Sequence, residues 1–525
     1  MANPTKNSRP LNMAATLVLL LAWAFMSLVW VINWDVGYNS DVAMIGLMAR
    51  SIAAGAEFPV YVWTTGYQGI LPEAWFAAGL FHLFGSGPLV LSLTATVYTS
   101  LFLWVYFLAI RRFFDSPTAW LTLLLTIISC PQFYRQMLRT LPNYGPLHLG
   151  GTLSILLFAG LMGAWFAGSA TDQRRRAPAL ALGLGMVQGF LYYMFTLSLV
   201  FLAAIAAQLL VVLASRGRGR PGLSLWRIPL AWSTGLLVGY APALWFRLQG
   251  GSSLRQSGIG GSPAEILHRL DLLIRSQYDF FNLTGFAVTD FLLVAAFAGP
   301  ALFFMLSLGL EQAGALLSRV RPGMRAAGRG VYFFLPMALC AAFLASSLVK
   351  DIGHNRWLIT LVSLYPLMVA FTVVSLWRRY RKPGVRLVLL LLPLGILVNN
   401  SHALYDGLQE AGKGRRHFEA IIDNFDRHGI TRGYGQYWST YAVNLMTSER
   451  LILQPYDAPY NPHYHDQVVG QPRLGLVNHP DLPKNPVDGR IDLDGFRYRV
   501  YDRAPLPGGM VFYALRRVDQ RDDLQ

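Results

Sequence analysis

Long apolar runs separated by short polar segments fill the first 400 residues of the chain. A helix rises about 1.5 Å per residue, so roughly 20 apolar residues cross the hydrocarbon core of a bilayer. Eleven runs predict spans near residues 13–32, 87–110, 116–131, 146–168, 177–192, 195–214, 229–247, 287–309, 331–349, 356–377 and 385–399. The pattern therefore predicts a mainly α, polytopic transmembrane helical bundle of eleven spans.

The polar segment between the first two predicted spans carries two shorter helical patterns. After Asp41, apolar residues recur at spacings of three and four, which predicts an amphipathic helix at the membrane surface. We expect Ser40 or Asp41 to cap this helix and Gly55 to end it. The apolar stretch from Pro72 to Phe84 is too short to cross a bilayer, so it predicts a second interfacial or re-entrant helix.

Beyond residue 400 the sequence becomes richer in charged residues, Asn, Pro and Tyr, and no run is apolar enough to span. We therefore divide the chain into a transmembrane domain, residues 1–400, and a small soluble α/β domain, residues 401–525. The tail patterns predict helices at His417–Arg427 and Tyr441–Met446, and strands at Leu451–Leu453, Phe496–Tyr501 and Met510–Leu515.

Composition and charge agree with a membrane protein. Only 14% of the 525 residues are charged and 54% are hydrophobic, whereas about 25% are charged in soluble domains. The net charge of +16 does not indicate a nucleic-acid partner, because the basic residues recur in short clusters between apolar runs. Loops on one predicted side hold 20 Lys and Arg residues, and those on the other side hold 9 before the tail. The excess predicts a cytoplasmic N-terminus, with the first loop and the tail outside.

Two further features bound the interpretation. Lys6 and Arg9 precede the apolar run 13–32, whose length favours a retained first span over a cleaved signal peptide. Cys130 and Cys340 both lie within apolar runs, so no disulfide framework is predicted for the soluble part.

Placing a charged or polar side chain near membrane depth costs free energy. Such residues are therefore candidates for function. The candidates on the predicted outer face are Asp35, Asp41, Glu73, Arg135, Arg139, His148, Asp279, Lys350, Asp351, His354 and Arg356.

The first outer loop resembles that of a known class of enzymes. The order Asp41, Gly46-Leu47-Met48-Ala49-Arg50, Ile52, Gly55, Pro59, Tyr67-Gln68-Gly69 and Glu73 is similar to bacterial polytopic glycosyltransferases of the GT-C class. These proteins are family 39-like, relatives of the protein O-mannosyltransferases and of the aminoarabinose transferase acting on lipid A. The run from Gly433 to Tyr441, with Ser448-Glu449-Arg450, also resembles a segment that follows the membrane part in this family.

The resemblance implies a role for Asp41. An aspartate at this place, usually the first of an Asp-Glu pair, is the general base of the class. Here Val42 replaces the second acid, so Asp35 is kept as a substitute base or substrate contact. Asp41 could instead be only a helix cap.

The resemblance also implies a site for the donor phosphate. The stretch from Lys350 to Leu358 is similar to the Arg-Tyr-Leu entry of a late span in the class, with Trp357 where tyrosine is usual. Arg356 would pair with phosphate oxygens through its planar guanidinium, and Lys350 and His354 would add to it. The alternative is that Lys350 and Arg356 only anchor a helix end at the headgroups.

Further substrate contacts are predicted in the first three outer loops. Arg135 and Tyr144 belong to a second loop rich in aromatic and amide groups, which suit a sugar but also occur in aromatic belts. The resemblance places Tyr67, Gln68 and Glu73 at the acceptor site, although Glu73 could equally cap the helix behind Pro72. The third loop, 248–286, contains a helical stretch at 264–278 and is expected to act as a lid.

No cofactor or metal is predicted. His463-Tyr464-His465-Asp466 lies between Pro and Asn residues, which favours a solvated turn over a metal site. The sequence has no Gly-Lys-Ser/Thr phosphate loop, so a nucleotide donor is not supported.

The hypothesis is therefore an inverting glycosyltransferase of the bacterial inner membrane with its active site facing the periplasm. Its expected partners are a polyprenyl-phosphate-linked sugar donor, a lipid, glycan or protein acceptor, and membrane lipids, with no nucleic acid. Two alternatives remain. A multi-spanning transporter would be expected to have repeated halves and a midplane site. An O-antigen ligase or polymerase using a lipid-diphosphate donor would depend on arginines in one large loop.

Overall fold

The structure is a computed structural model, and it describes the chain in twelve segments. They are residues 8–63, 68–140, 143–166, 171–215, 226–251, 260–281, 287–318, 323–347, 349–351, 356–456, 461–479 and 485–518. Tyr67 and His354 lie outside the described residues.

The described residues are mostly helical in their first four fifths. The helices are α1 Ser8–Ile32, α2 Ser40–Ala53, α3 Phe76–Phe84, α4 Pro88–Phe113, α5 Ser116–Ile127, α6 Pro131–Met137, α7 Tyr144–Phe166, α8 Thr171–Met194, α9 Leu199–Ala214, α10 Arg227–Gly239, α11 Ala241–Leu248, α12 Pro263–Phe281, α13 Ala287–Ser318, α14 Met324–Ala345, α15 Ile359–Arg379, α16 Pro383–Leu408, α17 Lys413–Arg427, α18 Tyr437–Met446 and α19 Pro462–Val468. A π-helical turn, Leu71–Trp75, leads into α3.

Internal contacts divide the chain into two compact units. The first, here the membrane unit, comprises Met1–Val29, Val97–Met137 and Tyr144–Gly407. The second, here the sheet unit, comprises Trp30–Thr96, Leu138–Asn143 and Leu408–Gln525. The sheet unit thus combines the first outer loop with the tail, whereas the sequence suggested a division at residue 400. That two-domain division stays a prediction.

Eight helices of the described residues are long and apolar enough to cross a membrane. They correspond to the predicted spans at 87–110, 146–168, 177–192, 195–214, 287–309, 331–349, 356–377 and 385–399. The protein is therefore a multi-pass helical membrane protein. The count of eleven is not confirmed: among the described residues, 16–32 of α1 and α5 form shorter apolar helices. The predicted span 229–247 is divided at Tyr240 into α10 and α11, where Pro242 stands in the first turn of α11.

Helices α8 and α10 pack with their backbones in close approach. Gly185 and Gly189 on α8 face Gly235 and Gly239 on α10, and a Cβ at any of the four would overlap a main-chain carbonyl of the opposite helix. Both helices therefore carry glycines four residues apart, a pattern that permits close packing in membranes. No side chain separates the two helices at these positions, so the contact is set by the backbones.

Helix α12 belongs to the third outer loop and matches the helix predicted at 264–278. Arg269 is almost fully buried, and its Nη1 donates to the carbonyls of Gly260 and Leu344 at 2.9 and 3.0 Å. Tyr365 Oη on α15 donates to Gln277 Oε1 at 2.5 Å. Both ends of α12 are therefore bonded within the membrane unit, and its role as a lid stays a prediction.

A six-stranded sheet forms the tail part of the sheet unit. Its strands are β1 Arg432–Gly435, β2 Ile452–Pro455, β3 Arg473–Asn478, β4 Arg490–Leu493, β5 Phe496–Pro505 and β6 Val511–Arg517, in the order β2-β1-β3-β6-β5-β4. β1 pairs in parallel with β2 and β3, and the remaining pairs are antiparallel. The small α/β domain with α17, α18, β2, β5 and β6 is confirmed.

The tail also corrects one interpretation. The predicted turn at His463–Asp466 is wrong, because these residues belong to α19. The side chain of Asn461 accepts a hydrogen bond from the His463 amide at 2.9 Å and caps the helix, which Pro462 begins. Tyr464 is only 1% exposed, so burial of its ring holds this segment against the domain.

Helix α2 packs inside the sheet unit. Asn39, rather than Ser40 or Asp41, caps it, because the Asn39 side chain accepts a hydrogen bond from the Val42 amide at 3.2 Å. The helix ends at Ala53, and Gly55 follows with a φ of +68°, as predicted. Residues 42–49 are all buried, so α2 is enclosed more deeply than its amphipathic spacing alone indicates.

The α8–α10 contact generates a prediction about stability. Gly189→Ala should destabilise the protein by about 1–3 kcal/mol, because the new methyl group overlaps the Leu236 carbonyl and must push the two backbones apart. Thermal unfolding of the purified protein in detergent measures the change.

Gly183→Ala on the same helix is the matched control. Its Cβ would lie 3.8 Å from the nearest Leu157 methyl, an ordinary contact, so its melting temperature should equal or exceed that of the wild type. Equal melting temperatures for the two variants would contradict the close backbone contact between α8 and α10.

Candidate active site

Asp41 is the second residue of α2 and is half-buried. Its Oδ1 accepts a hydrogen bond from the Tyr437 hydroxyl, at the start of α18, at 2.5 Å. Within the described part of the chain, this is the only hydrogen bond of the carboxylate, so Oδ2 remains open to accept one from a substrate. The carboxylate is therefore partly accessible, oriented and chemically suited to receive a proton.

The start of α18 is bonded directly to the start of α2. Ser40 Oγ donates to the Tyr437 carbonyl and accepts from the Tyr441 amide, the latter at 3.1 Å. Further along, Gly46 leaves room for the Leu445 side chain, which a Cβ at residue 46 would overlap. The helix that carries Asp41 and the tail helix that carries its hydrogen-bond donor thus form one packed pair.

Asp35 lies in the same unit but has structural partners. It is 5% exposed, and its Oδ2 accepts hydrogen bonds from the amides of Gly412 and Arg415 at 2.7 and 3.3 Å. These amides open α17, so the carboxylate caps that helix and stabilises the positive end of its dipole. Its assignment as a substrate contact or substitute base stays a prediction.

Arg139 supplies a cation to the sheet unit. Its guanidinium packs against Gly37, where a Cβ would overlap it, and Gly37 has a φ of +90°. Only glycine satisfies both the backbone conformation and the close approach at this position. The turn between α1 and α2 is thereby shaped around an arginine of the second outer loop.

Glu73 is fully buried in the π-helical turn, and neither of its carboxylate oxygens has a hydrogen-bond partner among the described residues. Burial raises the pKa of Glu73 well above its ordinary value. π-Helical turns are uncommon and frequently occur at functional sites. Burial therefore favours the neutral form of the carboxyl, and its oxygens can accept hydrogen bonds from a ligand.

Two amide side chains in the same unit add further unpaired acceptors. Gln68 is 3% exposed and Asn143 is fully buried, and the side-chain oxygen of each lacks a partner in the part of the chain that the structure describes. The Asn143 Nδ2 donates to the Gly69 carbonyl at 2.9 Å, which ties it to the segment of Gln68. Asn143 also has a φ of +69°, a strained conformation that often marks functional positions.

The remaining predicted residues belong to the membrane unit. Arg356 is half-buried, and its Nε has no partner within the described segments, which leave out residues 352–355. Lys350 is exposed, and its carbonyl is hydrogen-bonded to His268 Nε2 at 3.1 Å. Arg135 is half-buried on α6, and Tyr144 is fully buried at the start of α7. The predicted base and the predicted phosphate ligands therefore belong to different compact units.

A small, mostly apolar cleft lies in the membrane unit between α5, α13, α15 and α16. Its lining includes Leu125, Phe297, Val362, Tyr365, Ile396 and Asn400. No group of three metal-binding side chains occurs among the residues that the structure describes.

Comparison with solved structures finds the same architecture. ArnT from Cupriavidus metallidurans bound to undecaprenyl phosphate matches with 15% identity and a TM-score of 0.59, over 95% of this chain and 98% of that one. The apo state of ArnT from the same organism matches with 16% identity and a TM-score of 0.57, over the same shares. The apo Archaeoglobus fulgidus oligosaccharyltransferase matches with 13% identity and a TM-score of 0.49, over 87% of this chain and 69% of that one. No family model and no curated protein matches the chain.

The likeness to ArnT extends over nearly the whole of both chains. The protein therefore has the GT-C fold, as predicted from the first outer loop and the span pattern. At this level of identity the likeness concerns the fold alone.

Sequence reasoning missed Tyr437, Ser40 and Asn143 as parts of the site. The run from Gly433 to Tyr441 did stand out by resemblance, but nothing in it indicated that a phenol would reach a carboxylate 396 residues earlier. Asn143 lies in a loop whose amides suggested sugar contacts only in general terms.

The capping role of Asp35 is testable. Asp35→Ala should lower stability by about 0.5–2 kcal/mol, because the Gly412 and Arg415 amides lose their acceptor. Asp35→Asn should lower stability by less than Asp35→Ala, because asparagine keeps a side-chain oxygen that can accept these hydrogen bonds. Thermal unfolding in detergent separates the variants, and an unchanged melting temperature for Asp35→Ala would contradict the capping role.

The burial of Glu73 generates a pH-dependent prediction. Above the ordinary pKa of a glutamic acid, the Glu73 carboxyl loses its proton in the unfolded chain but retains it in the folded protein. The carboxyl therefore lowers the stability of the protein increasingly as pH rises. Glu73→Gln removes the ionisable group. The melting temperature of the variant minus that of the wild type should therefore grow from about pH 5 to about pH 8.

Glu419→Gln is the matched control, because Glu419 is exposed on α17. The difference in melting temperature between Glu419→Gln and the wild type should stay constant over the same pH range. A flat difference for Glu73→Gln would show that Glu73 ionises normally in the folded protein.

Proposed function

We propose that this protein is an inverting glycosyltransferase that transfers a sugar from a polyprenyl-phosphate donor to an acceptor hydroxyl. The observation that carries the proposal is the likeness over almost the full chain to an ArnT structure bound to undecaprenyl phosphate. The oriented, partly exposed carboxylate of Asp41 supports it, because this position also carries the sequence resemblance. The acceptor class, whether lipid, glycan or protein, is left open.

In this proposal Asp41 is the general base. Its Oδ2 removes the proton of the acceptor hydroxyl, and the resulting oxygen attacks the anomeric carbon of the donor sugar. The bond from that carbon to the phosphate oxygen breaks in the same step, and the polyprenyl phosphate leaves with the electron pair. A single displacement inverts the anomeric configuration.

Cations would stabilise the departing phosphate. Arg356 is proposed as the main ligand because its charge is permanent and its planar group matches phosphate oxygens. The unpartnered Nε of Arg356 is consistent with a ligand that completes its hydrogen bonds. Lys350 and His354 are proposed to assist it.

The sugar and acceptor would be held by acceptor oxygens and aromatic faces. Gln68 and Glu73 are buried with unpaired side-chain oxygens, which suits them to receive hydrogen bonds from hydroxyl groups. Tyr67, Arg135 and Tyr144 are proposed as further contacts, and Asp35 as a substrate contact or substitute base. The proposed location is the bacterial inner membrane, with the site facing the periplasm, as the distribution of Lys and Arg predicts.

Replacing the base tests the proposal. Asp41→Asn should reduce sugar transfer by about 100- to 10,000-fold, because the amide cannot take the acceptor proton. Transfer is measured with purified protein in detergent, a panel of radiolabelled polyprenyl-phosphate hexoses and pentoses, and membrane extract as the acceptor source. Binding of undecaprenyl phosphate, measured by thermal shift, should persist in the variant.

Asp494→Asn is the matched control. Asp494 lies in the same unit and also accepts a hydrogen bond from a tyrosine, Tyr434, at 2.6 Å. This variant should transfer sugar at the wild-type rate. Full turnover by Asp41→Asn would overturn the assignment of the base, and transport without transfer in proteoliposomes would favour the transporter alternative.

A further inference from the structure

The tail of the chain contributes directly to the surroundings of Asp41. The Tyr437 hydroxyl lies 2.5 Å from Asp41 Oδ1, although the two residues are 396 positions apart in sequence. The GT-C resemblance led us to expect a second acid next to Asp41, but the chain has Val42 there, and its side chain is buried. The described group that contacts the carboxylate is therefore a phenol from the tail.

We infer that Tyr437 is a positioning residue for the reaction: its hydroxyl fixes the Asp41 carboxylate and reserves Oδ2 for the acceptor proton. The inference rests on the proposed function, because it gives Tyr437 its role through Asp41 as base. If Tyr437 has this role, the tail takes part in the reaction as well as in folding.

The Tyr437 ring is itself held in place. It makes edge-to-face contacts with the rings of Trp438 and Tyr441, with centroid distances of 5.1 and 6.0 Å. Its carbonyl accepts a hydrogen bond from Ser40, the residue before Asp41. The donor and the carboxylate are therefore tied through the main chain as well as through their side chains, which limits their relative movement.

This arrangement determines which oxygen can act. The hydrogen bond to Tyr437 occupies Oδ1 and restricts rotation of the carboxylate about its χ2 angle. The carboxylate is then ordered before the acceptor arrives, which is how enzymes reduce the entropic barrier of a bimolecular step. Loss of the phenol should thus impair the chemical step and leave donor binding intact.

Tyr437→Phe tests the inference, because it removes only the hydroxyl group. With the same polyprenyl-phosphate sugars and membrane extract, kcat should fall by about 10- to 100-fold, the scale expected when a reacting group is misplaced. The KM for the donor should stay within about twofold of the wild-type value, since donor binding does not involve the phenol.

Tyr434→Phe is the matched control. It removes a hydroxyl that donates to Asp494 at 2.6 Å, so it breaks the same kind of bond in the same unit, away from Asp41. Its kcat should equal that of the wild type. The melting temperatures of the two variants identify any loss of activity that comes from unfolding.

The outcomes separate the inference from the function on which it rests. Loss of transfer in Asp41→Asn together with wild-type kcat in Tyr437→Phe would overturn the role of Tyr437 and leave the base in place. A fall in kcat that Tyr434→Phe shares, or that follows the fall in melting temperature, would reduce Tyr437 to a structural residue. Full transfer by Asp41→Asn would overturn both.

Discussion

The packing of α2 against α18 is the contact on which the candidate site depends. It joins the segment after the first helix to the tail, and the residues involved share one hydrophobic core with the sheet. Gly46 allows the close approach of Leu445, and Ser40 bonds the start of α18. Because this core is continuous, any loss of the tail structure would also free the helix that carries Asp41. The position of Asp41 thus depends on the folding of the tail.

Burial of polar groups without partners is the second constraint. Glu73, Gln68 and Asn143 are withdrawn from water in the sheet unit while side-chain oxygens of each remain unpaired. Such groups destabilise a fold unless a water molecule or a ligand completes their hydrogen bonds, so they are candidates for substrate contacts. Asp35 differs, because the amides that open α17 satisfy it. Asp35 and Glu73 lie in the same loop but differ in their hydrogen-bond partners, so they have different roles.

Much of the fold could be predicted from the pattern of apolar residues alone. Length and hydropathy located the long helices, and residue alternation located β5 and β6, because these signals are local. The division of the span at 229–247 into α10 and α11 was not predicted, although Pro242 lay within it. Strands β1, β3 and β4 were also missed. They are short, and β1 and β3 take their stability from pairing in the middle of the sheet, where they contact strands distant in sequence.

For the site, the sequence by itself determined the residue types and a resemblance: carboxylates at Asp41 and Glu73 and a cation at Arg356 near the ends of helical patterns. Local sequence could not decide whether Asp41 was a cap, because capping depends on one backbone angle, and the structure gives that role to Asn39. Only the tertiary structure brought Tyr437 to Asp41 and assigned Asp35 to α17. Both contacts join residues nearly 400 positions apart, and such contacts arise from packing of the whole sheet unit, which leaves no periodic trace in the chain.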